Sequence, residues 1–393
     1  MSDPNLPVTV ADAPVPTPGD KPSEAMGLPG RLVAWFRREK RPLPWRGTRD
    51  PYRIWVSEVM LQQTSVGTVI PYYGKFLEKF PTLGDLARAE AGEALKAWEG
   101  MGYYARIRNL HAAAREVMIR HGGKLPADAA ALRALPGVGE YMAGALLSLA
   151  FGKAVPAVDG NVLRVMARLF AIGDDVREPA TRAGISERVA LLIPPKHPGE
   201  FNQALMELGE TRCTPRGPLC LLCPIAAFCE ARKQGRVGKF PVRGKSPRAP
   251  VKPVVQAFFR KGKQVLLVKR PVTGLLAGMW EFPGGEAREG ERDATALRRI
   301  LRKDFGMTAE VGEPIASRRH AFSHVVWEIR VYECKASRDS RKNQDGHSSA
   351  IHESRVAIRE MRWVPPETLV ALPITTATRR IMAELDGTKG ENR

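Results

Sequence analysis

The stretch Leu135–Ala145, LPGVGEYMAGA, decides how the first half of this chain is read. Apolar residues at helical spacing, Leu135, Val138, Met142, Ala145, Leu146 and Leu149, predict a helix, a tight glycine turn and a second helix. Pro136, Gly137 and Gly139 suit that backbone path. A Gly-x-Gly turn running into a helix N-terminus presents backbone N–H groups that lack intrahelical partners. Such a site holds a phosphate without any charged side chain. Glycine turns between helices are common, so the motif draws its meaning from what surrounds it.

The surroundings are strongly basic. The chain has 393 residues, with 61 Lys and Arg against 42 Asp and Glu, for a formal charge of +19. That excess favours a polyanionic partner. A hydrophobic content of 44% is enough to fill real cores, and the length implies two or three domains. No apolar run reaches the ~18 residues of a bilayer span, so no membrane association is expected. Residues 1–28 are Pro-rich and lack an apolar signal core, and they read as a disordered arm of a cytoplasmic protein.

Residues 29–231 read as mostly helical, with a break expected near Pro71 and a Gly-containing turn at Gly100–Gly102. Residues 232–252 carry eight basic residues, no acidic ones and three prolines, the composition of a linker. Residues 253–385 read as a small α+β domain. "PVVQAFFRKGKQVLLVKRP" and "HAFSHVVWEIRVYEC" have strand composition, and "DATALRRILRKDFG" reads as a helix. Ala336–Arg355 reads as a polar loop insert.

Three constellations carry chemistry. Cys213, Cys220, Cys223 and Cys229 follow C-x6-C-x2-C-x5-C, which suits an iron–sulfur cube or a zinc site. Asp159 follows an apolar segment and precedes Gly160 and Asn161; it is either a carboxylate that stabilises a developing cation or a helix cap. Glu58 lies among Ile54, Val56, Val59 and Leu61, where desolvation would raise its pKa and fit it for acid catalysis. The opposite reading of Glu58 is an exposed residue on an amphipathic helix. A further stretch, Gly285–Met307, keeps the spacing of a pyrophosphohydrolase box at Gly285, Glu291, Arg299, Gly306 and Met307. Ile300 and Lys303 stand where metal-binding glutamates would be needed, so the metal chemistry is expected to be absent.

The segments "WVSEVMLQQT", "GMGYYARIRNL", "LPGVGEYMAGA" and "VPAVDGNVLRV", followed by the four cysteines, occur in one order. In that order the chain resembles the helix–hairpin–helix DNA glycosylases of the endonuclease III superfamily, and among them the adenine-specific MutY type, over roughly residues 30–375. The resemblance implies a multidomain fold. An all-α helix–hairpin–helix glycosylase domain would hold a [4Fe-4S] cluster loop at 213–229, and an α+β Nudix-like C-terminal domain would recognise 8-oxoguanine. It implies hydrolysis of the N-glycosidic bond of adenine mispaired with 8-oxoguanine or guanine in double-stranded DNA. Glu58 would be the acid/base, Asp159 the cation-stabilising carboxylate, and Asn161 its holder. Tyr141 stands where strand-cleaving relatives carry a lysine, which implies a monofunctional enzyme. Gln63 and Tyr103 match wedging positions, while Trp45, Leu61 and Gln203 match the adenine pocket. Phe322, Ser323 and His324 match the loop that probes the oxidised base, and Gly137 and Gly139 match the DNA-contacting hairpin. The cysteine spacing matches the family's [4Fe-4S] loop, with Arg212, Arg216 and Arg232 as DNA-contact candidates and a monomer expected. A pyrimidine glycosylase/lyase of the endonuclease III type would want a lysine at Tyr141. A non-catalytic DNA-binding module would not need Glu58 and Asp159 together.

Overall fold

The computed structural model describes residues 27–244, 248–337 and 360–385. The expected arm at 1–28 therefore lies outside the described residues except at its last two positions. Most of the polar insert, from 338 onward, lies outside them as well. In chain order the helical part comprises α1 (Leu28–Glu39), α2 (Pro51–Leu61), α3 (Val66–Lys79), α4 (Leu83–Arg88), α5 (Ala91–Ala97) and α6 (Ala105–Arg120). It continues with α7 (Ala129–Arg133), α8 (Glu140–Leu149), α9 (Gly160–Leu169), α10 (Pro179–Leu192), α11 (Pro198–Thr211) and α12 (Glu230–Lys233). None of the described helices is long and apolar enough to cross a membrane.

The chain forms two compact units. The first joins residues up to 49 with 127–129 and 139–244. Its core is built by Leu32 and Phe36 of α1, Val162 and Met166 of α9, Ile185 and Val189 of α10, and Phe201, Leu205 and Leu208 of α11. These positions recur every three to four residues, as one buried helix face requires.

The second unit contains 50–126, 130–138 and 245 onward. Here α2 is capped by Asp50, whose side chain accepts from the Tyr52 and Arg53 amides, with Pro51 in the first helical position. The break expected near Pro71 falls instead at residues 62–65. Pro71 lies inside α3, which Ser65 caps by accepting from the Thr68 amide. Pro71 is the sixth residue of α3, so it costs the helix the amide that would donate to the Gly67 carbonyl.

The same unit holds two sheets. Their strands are β1 (Val251–Phe258), β2 (Arg260–Lys261), β3 (Gln264–Lys269), β4 (Trp280–Glu281), β5 (Gly284–Glu286), β6 (Ala309–Ala321), β7 (Val326–Ala336) and β8 (Met361–Val364). One sheet has the order β5-β1-β7-β6, with β1 parallel to β7; in the other, β3 pairs with β2, β4 and β8. Alternation along the strands sends side chains to two cores. Val254, Phe258, Val265 and Leu267 meet Ile381 and Met382 of the C-terminal helix Thr376–Leu385. Val255, Ala257, Leu266 and Val268 meet the helix α13 (Asp293–Phe305) through Leu297, Ile300 and Leu301. The stretch "HAFSHVVWEIRVYEC", of strand composition, covers the end of β6, a hairpin loop and most of β7. Residues 322–325 form the β6–β7 hairpin loop, closed by Phe322 N–H donating to the Val325 carbonyl at 2.8 Å.

The basic stretch 232–252 is ordered over its first half. Arg168 Nε donates to the Phe240 carbonyl at 3.0 Å, and the Val176 amide donates to the Val242 carbonyl at 3.2 Å. Phe240 is buried, and this apolar anchor outweighs the linker composition around it.

The box at Gly285–Met307 is now a packing device. Arg299 grips Glu291 through two hydrogen bonds of 2.8 and 2.7 Å, and Ile300 is 2% exposed within the α13 core. Restoring a carboxylate with Ile300→Glu should therefore cost about 3 kcal/mol or more, since the charge would be buried without a partner. Urea unfolding measures this, and a variant of unchanged stability would show that the site tolerates a metal ligand.

Candidate functional site

The second unit presents two irregular turns. Gln62–Thr64 follows α2, and Met101–Tyr103 precedes α6. Gln63 and Tyr103 adopt φ values of 55° and 48°, a left-handed backbone that non-glycine residues rarely take. Both side chains are exposed at these bends. Arg106, the second residue of α6 and 8% exposed, holds the two turns together. Its guanidinium donates to the carbonyls of Val59, Met60 and Gln62, to Thr64 Oγ1, and to the carbonyls of Met101 and Gly102. It also lies over the rings of Trp98 and Tyr103, at 5.3 and 5.4 Å. Burial pushes it down to about 10, so it stays charged at neutral pH. Sequence reasoning missed this residue, although it sits inside the quoted "GMGYYARIRNL". The only signal was an arginine at helical spacing from two turn glycines.

Gln63, Tyr103, Phe322, Ser323 and His324 all line one cavity of about 520 Å³. The structure thus joins five residues that lie up to 261 positions apart in the chain. Ser323 Oγ and His324 Nδ1 are 3.3 Å apart, and the Phe322 ring packs edge-on to His320 and Trp327. Elsewhere in this unit, Glu58 is 6% exposed on α2, whose residues from Ile54 to Met60 are all buried. The reading of Glu58 as an exposed amphipathic residue is excluded. Leu61 is half-buried at the end of the same helix. Gly137, at φ +76°, turns the hairpin where a Cβ would come within 2.7 Å of Asn109 Cβ.

In the first unit, Gly139 is the N-cap residue of α8 and brings no side chain to the helix N-terminus. Asp159 caps α9 and does more than cap it. Oδ1 accepts from the Val162 amide at 2.7 Å, and Oδ2 accepts from Asn161 Nδ2 at 2.9 Å. Burial raises the pKa of Asp159 above the ordinary carboxylate value, and these two donors partly oppose the rise. Asn161 Oδ1 in turn accepts from Arg164 at 2.8 Å, and Arg164 also donates to the carbonyls of Gly209 and Cys213.

Helix α11 is the platform beneath this loop. Asn202, fully buried, accepts from the Ala157 amide and donates to Ser148 Oγ and the Val155 carbonyl. Gly144 lets α8 approach the Pro156 carbonyl, where a Cβ would stand at 2.0 Å. Tyr141 Oη lies 3.8 Å from Met206 Sδ of α11. Glu207, on the next residue, receives the Arg41 amide and the side chains of Arg41 and Arg46, which fixes the turn that carries buried Trp45. Gln203 lines a separate, polar cavity with Arg46 and His197, and Trp45 is not among its lining residues.

The four cysteines line a small apolar cavity with Arg168, Arg212, Leu219 and Val237. Burial and the neighbouring thiols push Cys223 up to about 11, and burial also raises Cys229. Arg168 Nη1 lies 3.3 Å from Cys213 Sγ and also donates to the Cys213 and Thr214 carbonyls. Among the described residues, no group of His, Cys, Asp and Glu is arranged to hold a single metal ion. Arg216 and Arg232 are exposed, whereas Arg212 pairs with Glu39 at 3.0 Å.

Comparison with known proteins agrees with this organisation. Residues 56–190 match the HhH-GPD superfamily of base excision DNA repair proteins, and residues 254–384 match the NUDIX domain. Human adenine DNA glycosylase is 38% identical over 366 residues, covering 79% of this chain and 67% of that protein. The Schizosaccharomyces pombe adenine DNA glycosylase is 32% identical, covering 80% and 83%. A solved thermostable thymine-DNA glycosylase is 31% identical at a TM-score of 0.49, covering 52% of this chain and 95% of that one.

Two outcomes follow from the buried charges. Arg106→Met strips the turn carbonyls of their donor and should cost about 3 kcal/mol or more, read from urea unfolding. Glu207, 2% exposed, is pushed up by burial, but its hydrogen bonds from Arg41 and Arg46 outweigh that and hold it at about 2. Its contribution is then present above the unfolded carboxylate value, near ~4.3, and is lost as pH falls through about 2, amounting to about 3 kcal/mol. Glu207→Gln should remove that part of the acid dependence; an unchanged acid unfolding curve would refute the assignment.

Proposed function

The chain belongs to the adenine DNA glycosylase family, and from that premise we propose that it releases adenine mispaired with 8-oxoguanine or guanine, leaving an abasic site with the strand intact. It is an N-glycosyl hydrolase of base excision repair, and its partner is DNA. The observation that carries the finer reading is the single cavity lined by Gln63, Tyr103, Phe322, Ser323 and His324. It combines an exposed tyrosine ring for stacking with an amide, a hydroxyl and an imidazole that can hydrogen-bond a purine edge.

In this mechanism Glu58 protonates N7 of the flipped adenine and makes it a neutral leaving group. The glycosidic bond breaks with oxocarbenium character, and Asp159 stabilises the sugar cation. Water, handled by Glu58, completes hydrolysis. Asn161 and the Val162 amide hold the Asp159 carboxylate in one orientation. Trp45, Leu61 and Gln203 are assigned to the adenine pocket. The N-terminus of α8 at Gly139, with the Gly137 turn, suits a backbone phosphate. A tyrosine at position 141 has no amine to form a Schiff base with the sugar, which supports a monofunctional reaction.

Cys213, Cys220, Cys223 and Cys229 would hold a [4Fe-4S] cluster. The fit rests on four thiols around one apolar cavity and on burial that disfavours free thiolates unless a cation shares their charge. When bound, the cluster supplies a compact anchor for the loop that carries Arg216 and Arg232. The runner-up, zinc, is disfavoured because the C-x6-C-x2-C-x5-C spacing of the four cysteines matches the family's [4Fe-4S] loop. Equal amounts of iron and acid-labile sulfide in the purified protein are expected; one zinc and no iron would refute the cluster.

Base release should occur from A:8-oxoguanine and A:G duplexes and not from A:T or thymine glycol, with strand scission only after alkali. Borohydride trapping as efficient as that of a lyase would refute the monofunctional reading. Asp159→Asn should lower release on the order of 10³-fold while sparing duplex binding. Because burial raises the Asp159 pKa, activity should fall on the acid side at a higher pH than an ordinary aspartate would give. Asn161→Ala removes a donor to the ionised form and should move that limb higher still.

A further inference from the structure

Among the described residues, the non-glycine positions with positive φ are Gln63, Tyr103, Ala171 and Leu276. Three of these, all but Ala171, line the cavity described above. Gln63 and Tyr103 were expected there, but nothing in the sequence singled out Leu276. A leucine gains nothing locally from a left-handed backbone, since its side chain cannot bond its own main chain as asparagine can. The surrounding structure must hold it there.

The holding contacts are visible. The loop closes on itself through the Arg270 amide to the Met279 carbonyl at 2.8 Å, the Gly278 amide to Pro271 at 3.1 Å, and the Met279 amide to the Leu276 carbonyl at 3.1 Å. Arg270 Nε donates to the Leu275 carbonyl at 2.7 Å, and Arg108 of α6 donates to the Ala277 carbonyl at 3.3 Å. Arg270 also pairs with buried Glu281 and lies 5.1 Å over the Trp327 ring, against which Phe322 packs at 4.9 Å. One guanidinium thus ties the lip carrying Leu276 to the lip carrying Phe322, Ser323 and His324.

We propose that Leu276 is a contact residue for the purine opposite the excised adenine, setting specificity by shape together with Gln63 and Tyr103. The proposal rests on the reading of this cavity as the oxidised-purine site. Leu276 offers no hydrogen bond to the oxidised edge. It excludes water and limits where the base can lie, so that the groups of Gln63, Ser323 and His324 meet one edge of it.

The test is the ratio of single-turnover adenine release from A:8-oxoguanine over A:G duplexes, measured on the full chain. Leu276→Ala, Leu276→Gly and Ser323→Ala are compared, with melting temperature as the check on folding. Leu276→Gly removes the side chain and also relieves the backbone, which offsets part of the packing lost against the core, so it should fold more stably than Leu276→Ala. Both Leu276 variants should lower the ratio by roughly tenfold, the scale of a lost apolar contact in a specificity pocket. If Ser323→Ala lowers the ratio while both Leu276 variants keep it within about twofold, the role of Leu276 is overturned and the cavity reading stands. If none of the three changes it, the cavity is not the purine site and the proposal falls with that reading.

Discussion

Irregular backbone must have its buried carbonyl oxygens satisfied inside the protein, and at the turns of the candidate site buried arginines supply many of the donors. Arg106 gathers the carbonyls of the two turns that bear Gln63 and Tyr103. Arg164 and Arg168 gather those at the start of the cysteine loop, and Arg270 takes that of Leu275. A guanidinium presents five donors in a fixed fork, so one side chain can pin several loop residues where a lysine would hold one or two. Part of the charge excess that first suggested a polyanionic partner is therefore structural. These arginines are buried or half-buried and act as internal donors.

The same economy shapes the first unit. α11 serves as a platform whose successive residues fix different loops. Asn202 supports the segment that leads to Asp159, and Glu207 fixes the turn that carries Trp45. Asp159 is held by a helix amide on one oxygen and by Asn161 on the other. The sequence posed cap and catalytic carboxylate as alternatives; the structure shows the cap, and capping is compatible with the catalytic role proposed for Asp159. Capping is what fixes the carboxylate's orientation, and the half-buried setting is what raises its pKa.

The box at Gly285–Met307 shows how a fold outlives a chemistry. The Glu291–Arg299 pair still ties the loop to α13, while Ile300 fills core volume where a metal-binding carboxylate would stand. The small domain's residues that line the cavity lie elsewhere, among them those of the β6–β7 hairpin loop and of the Leu275–Leu276 loop.

Much of this was readable from the sequence. Helical periodicity, the Gly137 turn, the cysteine spacing and the ordered motifs fixed the domain types, and the apolar neighbours of Glu58 matched its burial in α2. These features are local, or repeat at a fixed spacing, so they survive in a one-dimensional reading. The break after α2, the order of the basic stretch through Phe240, the hydrogen bonds of Arg106 and Glu207, and the left-handed backbone of Leu276 were not readable. Each depends on partners far away in the chain or on a backbone conformation that composition does not encode. The sequence alone determined which chemical groups this protein owns and the elements that carry them. Only the tertiary structure decided which of those groups meet, because a carbonyl finds its donor in space and not along the chain.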